Sequence, residues 1–138
     1  MVDDADYEWL NQYKWQCGAD RMIRTHGSNT LMHRLIMDAP RHLEVDHIDG
    51  NRLNNQRSNL RLCNSSQNKC NRGPRKDNKS GYKGVSWHKQ NQKWTVRIKP
   101  PYEKKYLSLG CYHDIAEAAQ AYDEAAKKYH GEYAFINL

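Results

Sequence analysis

Residues 43–72 read LEVDHIDGNRLNNQRSNLRLCNSSQNKCNR, and the folding of the N-terminal half turns on them. Leu43, Glu44, Val45 and Asp46 alternate apolar with polar, the period of a short strand, and Asp49-Gly50-Asn51 supplies turn residues after it. Leu60 to Cys63 reads as a second strand. Ser65 or Ser66 then stands as the N-cap of a helix whose first turn carries Asn68. Strand, loop, strand, helix is the expected order, and it folds Asn68 back against Asp46. Asp46 and His47 are neighbours, so on a regular strand their side chains point to opposite faces. Twist near the turn is expected to let both of them border one cleft.

The residue types suggest a chemistry. Histidine titrates near neutral pH and suits a general base, while a carboxylate is a hard oxygen ligand for a divalent cation. Hydrolysis of a phosphodiester needs both. Alone, an Asp-His pair means little, because such residues mostly sit on surfaces. Asn51, Asn54 and Asn55 read as turn residues that hold backbone amides. Asn59 lies twelve residues after His47, and Asn68 twenty-two after Asp46.

Taken together, Asp46-His47, Asn59 and Asn68 resemble the ββα-metal motif of HNH endonucleases, specifically the branch related to phage and intron-borne homing endonucleases, whose last motif position is asparagine. The resemblance takes in His33-Arg34-Leu35-Ile36-Met37 upstream and Asn71 downstream, to which no chemical role is given. It implies His47 as general base and Asn59 as the residue that orients it. It also implies Asp46 and Asn68 as ligands of one Mg²⁺ or Mn²⁺. His33 itself, within an apolar segment, reads as a satisfied structural histidine.

The chain has 138 residues, 38% of them hydrophobic, with a mean hydropathy of −1.08. That leaves little for one large core and suits two small units. The net charge of +6 is unevenly spread. Met1 to Gly50 carries five Lys/Arg against nine Asp/Glu, whereas Lys69 to Lys105 carries twelve against two. Tyr82, Trp87, Trp94, Tyr102 and Tyr106 interleave with those basic residues, the pattern of a folded nucleic-acid binder. No apolar run approaches the roughly twenty residues of a membrane span, and Val2-Asp3-Asp4 lacks a signal peptide's basic start. Cys17, Cys63, Cys70 and Cys111 form no CxxC pair, so no structural zinc is expected, and free thiols in an intracellular, reducing compartment are.

Outward from the central stretch, Asp6 is the expected cap of a short N-terminal helix, followed by strands at Lys14–Cys17 and Arg21–Thr25. Leu31, Met32, Leu35 and Ile36 follow helical spacing up to Pro40. From Cys70 to Ser80 apolar residues almost vanish and Gly73 and Pro74 appear. This segment is expected to be either a solvated tether or a strap on DNA phosphates through Arg72, Arg75, Lys76 and Lys79.

Beyond it, Tyr82–His88, Lys93–Lys99 and Lys105–Tyr112 alternate as a three-stranded meander with one apolar face, continued by Leu107 and Leu109, and one basic face. Asp114 caps a helix in which Ile115, Ala118, Ala119, Tyr122, Ala126 and Tyr129 recur at helical intervals until Gly131. Tyr82-Lys83-Gly84-Val85, Lys93-Trp94, Leu109-Gly110-Cys111-Tyr112 and the Ala116–Asp123 run make this part similar to plant ethylene-response-factor DNA-binding domains. By position, that resemblance puts Lys83, Ser86, His88, Arg97, Lys99, Tyr106 and Ser108 at strand sites facing DNA, with Lys93 adding charge. Several depart from the arginines, glutamate and tryptophan usual in those domains, so their target sequence does not transfer.

The expected class is α+β: a ββα-metal nuclease domain over 1–72, a basic linker over 73–80, and over 81–138 a three-stranded antiparallel sheet packed on one α-helix. The function so implied is a metal-dependent endonuclease acting on double-stranded DNA, a sequence-targeted nickase or homing-type enzyme, with no membrane or protein partner. A phage-encoded protein at work in a host cell is implied by the resemblance alone. Two alternatives stay open: a DNA-binding regulator whose nuclease fold is catalytically silent, and an RNA binder, since charge does not distinguish duplex types.

Overall fold

The computed structural model describes residues 1–138, which form two compact units, Met1–Asn68 and Lys69–Leu138.

In the first, helix α1 (Asp4–Leu10) is followed by a hairpin of β1 (Trp15–Cys17) and β2 (Ile23–Thr25), and then by the short helix α2 (Met32–Ile36). Asp6 is not the cap of α1. It lies inside the helix and is buried, because Trp9 Nε1 and the Arg57 guanidinium donate to its carboxylate. Strand β3 (Glu44–His47) pairs antiparallel with β4 (Leu60–Cys63), setting Asp46 opposite Arg61 and His47 opposite Leu60. Val45 and Leu60 carry the hairpin into a core completed by Leu10, Met32 and Ile36.

Helix α3 (Ser65–Asn71) follows β4 after one residue. Its cap is Asn64 rather than either serine. Asn64 Oδ1 accepts from Gln67 N at 2.9 Å, and Gln67 Oε1 accepts from Asn64 N at 2.8 Å. This reciprocal pair is a capping box in which asparagine and glutamine play the two parts.

In the second unit, β5 (Val85–His88), β6 (Lys93–Ile98) and β7 (Leu107–Tyr112) form an antiparallel sheet in that order, covered on one face by α4 (Ile115–His130). Val85, Val96, Ile98, Ala118, Tyr122, Ala125 and Ala126 make the core. Asp114 caps α4 by accepting from the amides of Ala116 and Glu117, as its sequence position suggests. Strand β5 begins three residues later than the alternation suggests, because Gly84 takes φ +76°. A register shift between Val96 and Arg97 also changes β7, leaving Leu107 39% exposed instead of continuing the buried face.

Residues 73–80 make contacts of their own. Gly73 lies against the Phe135 ring, and Asn78 Oδ1 accepts from the Ser80 amide and hydroxyl and the Gly81 amide.

Candidate active site and nucleic-acid interface

The β3–β4 hairpin sorts the marked residues by face. Glu44 and Asp46 share one side of the strand, and Val45 and His47 the other. Asp46 and His47 are both buried, yet their recorded partners differ. Arg61, opposite Asp46, donates to Asp46 Oδ2 from Nε at 3.0 Å and from Nη2 at 2.7 Å. Asn68, on the first turn of α3, donates from Nδ2 to the Glu44 carboxylate and so leaves its carbonyl oxygen Oδ1 as the acceptor. Asp46 and Asn68 are thus both on the Glu44 side of the hairpin, one by strand alternation and the other through its bond to Glu44.

His47 instead meets His33 and Asn55. The two imidazoles stand edge to face, with centroids 5.1 Å apart. Burial, with the nearby charges of His47, Arg34 and Arg52, pushes the His33 pKa down to about 4, so that ring is neutral at physiological pH. His47 Nε2 lies 3.0 Å from Asn55 Oδ1.

Asn59, expected to orient His47, is buried but engages the turn. Its Oδ1 accepts from Asp49 N, its Nδ2 donates to Asp49 Oδ1 and to the Asn54 carbonyl, and its own carbonyl accepts from Ile48 N. Burial would raise the Asp49 pKa, but donation by Asn54, Asn51 N and Asn59 and the nearness of His47 outweigh it and hold the carboxylate below its ordinary range. Asn51 and Asn54 also accept from backbone amides of this loop, as turn residues do. Asn55 does not.

Sequence reading missed three neighbours of the marked residues: Asn55 beside His47, Arg61 on Asp46 and Glu44 on Asn68. Arg61 was findable by counting the hairpin register. Asn55 was not, since only closure of the loop carries it to the ring.

The donor set suits a hard cation: one carboxylate and one amide oxygen, next to a second carboxylate at Glu44. No group of three or more His, Cys, Asp or Glu side chains surrounds a common point. Arg61 occupies part of the same carboxylate that a cation would use.

In the second unit, the register places Ser86, His88, Lys93, Arg97 and Ser108 on the sheet face away from α4, with Thr95 between them. Ser86 and Thr95 hydroxyls meet at 3.0 Å across the strands, and Lys99 Nζ lies 6.0 Å from the Tyr106 ring centroid. Arg97, Lys99, Tyr106 and Ser108 are exposed, as are Arg72, Arg75, Lys76 and Lys79. Lys83 departs from its expected place facing DNA. Its ammonium donates to the Cys70 carbonyl and sits 5.6 Å from the Phe135 ring centroid, because the positive φ at Gly84 ends the strand alternation before it. Burial, only partly offset by Cys70, lowers its pKa to about 8.

One unit carries a β hairpin and helix with Asp-His and asparagine, and the other a basic three-stranded sheet on one helix. Residues 31–70 match the HNH endonuclease family and residues 80–132 match the AP2 domain. The chain is 31% identical over 141 aligned residues to an uncharacterized HNH endonuclease of Acanthamoeba polyphaga mimivirus, covering 93% of this chain and 68% of that protein. It is 34% identical over 95 residues to Protein 3.8 of Escherichia phage T7, covering 69% of this chain and 76% of the phage protein. An ethylene-responsive transcription factor of Arabidopsis thaliana is 47% identical over 59 residues, which span 43% of this chain but only 14% of the plant protein. The chain belongs to the HNH endonuclease family and carries an AP2 domain after its nuclease motif. No helix is long and apolar enough to cross a membrane.

Proposed function

We propose that this protein is a divalent-metal-dependent endonuclease that nicks double-stranded DNA at sites selected by its C-terminal sheet. One observation supports the reading above others: within the HNH match, His47 is 5% exposed and held at Nε2 by Asn55 Oδ1. A general base must be fixed in orientation before its basicity is useful. His47 takes the proton of a water that attacks phosphorus in line. The bond from phosphorus to the 3′ oxygen breaks, leaving a 5′ phosphate.

Asp46 and Asn68 would hold Mg²⁺ or Mn²⁺ through Oδ atoms, with DNA phosphate and water completing the shell. When bound, that ion supplies charge stabilisation at the phosphoryl oxygens and the leaving oxygen. Asn59 shapes the Asp49 turn rather than the imidazole. Arg72, Arg75, Lys76, Lys79, Arg97 and Lys99 contribute phosphate contacts, while Ser86, His88, Lys93, Tyr106 and Ser108 offer polar edges on the same sheet or beside it. One site per chain gives a nick, and a double-strand break takes two events. A homing role would follow from the choice of target.

The Arg61 ion pair on Asp46 favours a second reading, a DNA-binding regulator with a silent nuclease fold, since an arginine there competes with a cation. Incubating supercoiled DNA with Mg²⁺ or Mn²⁺ separates the two. Relaxation by the wild type, reduced about 100-fold or more in His47→Ala, is the expected result. DNA binding without relaxation on a substrate pool that includes the native target would support the regulator instead.

A further inference from the structure

The loop after His47 is gripped by a part of the chain outside both family matches. Asp3 Oδ2 accepts from Arg57 N at 2.8 Å, and Asp3 Oδ1 accepts from Gln56 Nε2 at 3.4 Å. Arg57 Nε and Nη2 donate to the buried Asp6 carboxylate at 2.8 and 2.7 Å, while Trp9 Nε1 donates to the same group at 2.9 Å. The Asn55 amide donates to the Met1 carbonyl at 2.8 Å. Farther along the loop, Arg52 Nη1 donates to the Asp20 carbonyl at 3.0 Å. Residues 55, 56 and 57 are thus tied in succession to residues 1, 3 and 6, all upstream of the HNH match at 31–70.

Of these loop residues, Asn55 reaches the imidazole, and it is 1% exposed. We infer that Asn55 is the positioning residue for His47, and that the Asp3 and Asp6 contacts form a clamp that holds it there. The inference rests on His47 being the general base.

An amide oxygen accepts and cannot donate, so Asn55 Oδ1 against Nε2 requires the proton on Nε2. In the neutral ring the lone pair is then on Nδ1, so the contact with Asn55 fixes the tautomer as well as the orientation of the ring. The His33 ring, set edge to face at 5.1 Å, packs against the same imidazole. Asn59 cannot do this work, because both ends of its amide are committed to the Asp49 turn.

The test uses the full chain. Long-range ¹H–¹⁵N correlation of ring-labelled, metal-free protein at mildly alkaline pH reads the His47 tautomer directly. The wild type is expected to show Nε2–H. In single-turnover nicking, Asn55→Ala should lose about 100-fold in rate, the scale of a misplaced catalytic group, with DNA affinity unchanged and a mixed tautomer. Asn55→Asp, which keeps an acceptor at that place, should recover the Nε2–H signature and cut about tenfold faster than Asn55→Ala. Asp3→Ala, at a partly exposed site, should cut several-fold more slowly than wild type with equal DNA affinity.

An Nδ1–H tautomer in the wild type overturns the inference even if every variant fails to fold. So does a wild-type rate in Asn55→Ala, or an Asp3→Ala protein identical to wild type. Failure of the general-base assignment looks different: His47→Ala would then cut as fast as wild type, whatever the tautomer.

Discussion

Lys83 carries its charge into surroundings that disfavour it. The Cys70 carbonyl and the Phe135 ring favour the ammonium, but a pKa lowered to about 8 means that desolvation outweighs them. A lysine pKa lower in the fold than in the unfolded chain makes the unfolded state bind more protons between about 8 and the ordinary 10.5, so stability rises with pH across that window. Below it the burial cost is present in full. Lys83→Met should therefore be at least as stable as wild type at neutral pH, with an advantage that shrinks as pH climbs through the window. Its DNA affinity should be unchanged. Urea melts at several pH values, with a shift assay beside them, check both parts; a marked loss of DNA affinity would return Lys83 to the DNA-facing set.

Sheet and helix α4 approach closely at Gly84. Its φ of +76° suits glycine, and a Cβ there would stand 2.2 Å from Tyr122 Cδ2 and 2.7 Å from the Arg97 carbonyl oxygen. Tyr122 is buried in the core and cannot swing aside. Ala118, Ala119 and Ala126, all fully buried, let the helix come this near, and the Asp114 cap fixes where it starts. Gly84→Ala should cost upwards of about 3 kcal/mol, combining overpacking with a disfavoured backbone angle. Denaturant unfolding measures this, and a cost below about 1 kcal/mol would mean that the helix shifts to make room.

Charge is spread unevenly along the chain: Met1 to Gly50 carries nine Asp/Glu against five Lys/Arg, whereas Lys69 to Lys105, which includes most of the exposed sheet face, carries two against twelve. On a polyanion, each phosphate neutralised adds about 0.9 to the slope of log affinity against log salt. Replacing Arg97 and Lys99 together by alanine should flatten that slope by about 2 if each meets a phosphate. Titrations on one DNA duplex over a range of salt provide the measurement. An unchanged slope would move the DNA path off the sheet and onto Arg72, Arg75, Lys76 and Lys79.

Much of this protein follows from local sequence alone. Period-two alternation yields the hairpin strands and the meander, and helical recurrence and Asp114 yield α4, whereas Asp46, His47, Asn59 and Asn68 are picked out by their resemblance to the HNH motif. Alternation and recurrence act within a few residues, through backbone sterics and side-chain period, so they survive without knowledge of the fold. The partners of the marked residues do not. Asn55 reaches His47 only because residues 1–6 hold its loop, and Lys83 turns inward only because Gly84 closes on Tyr122 and Cys70 and Phe135 lie nearby. Such contacts join residues up to 54 positions apart. Their geometry depends on how whole elements pack, and that was decided only by the tertiary structure.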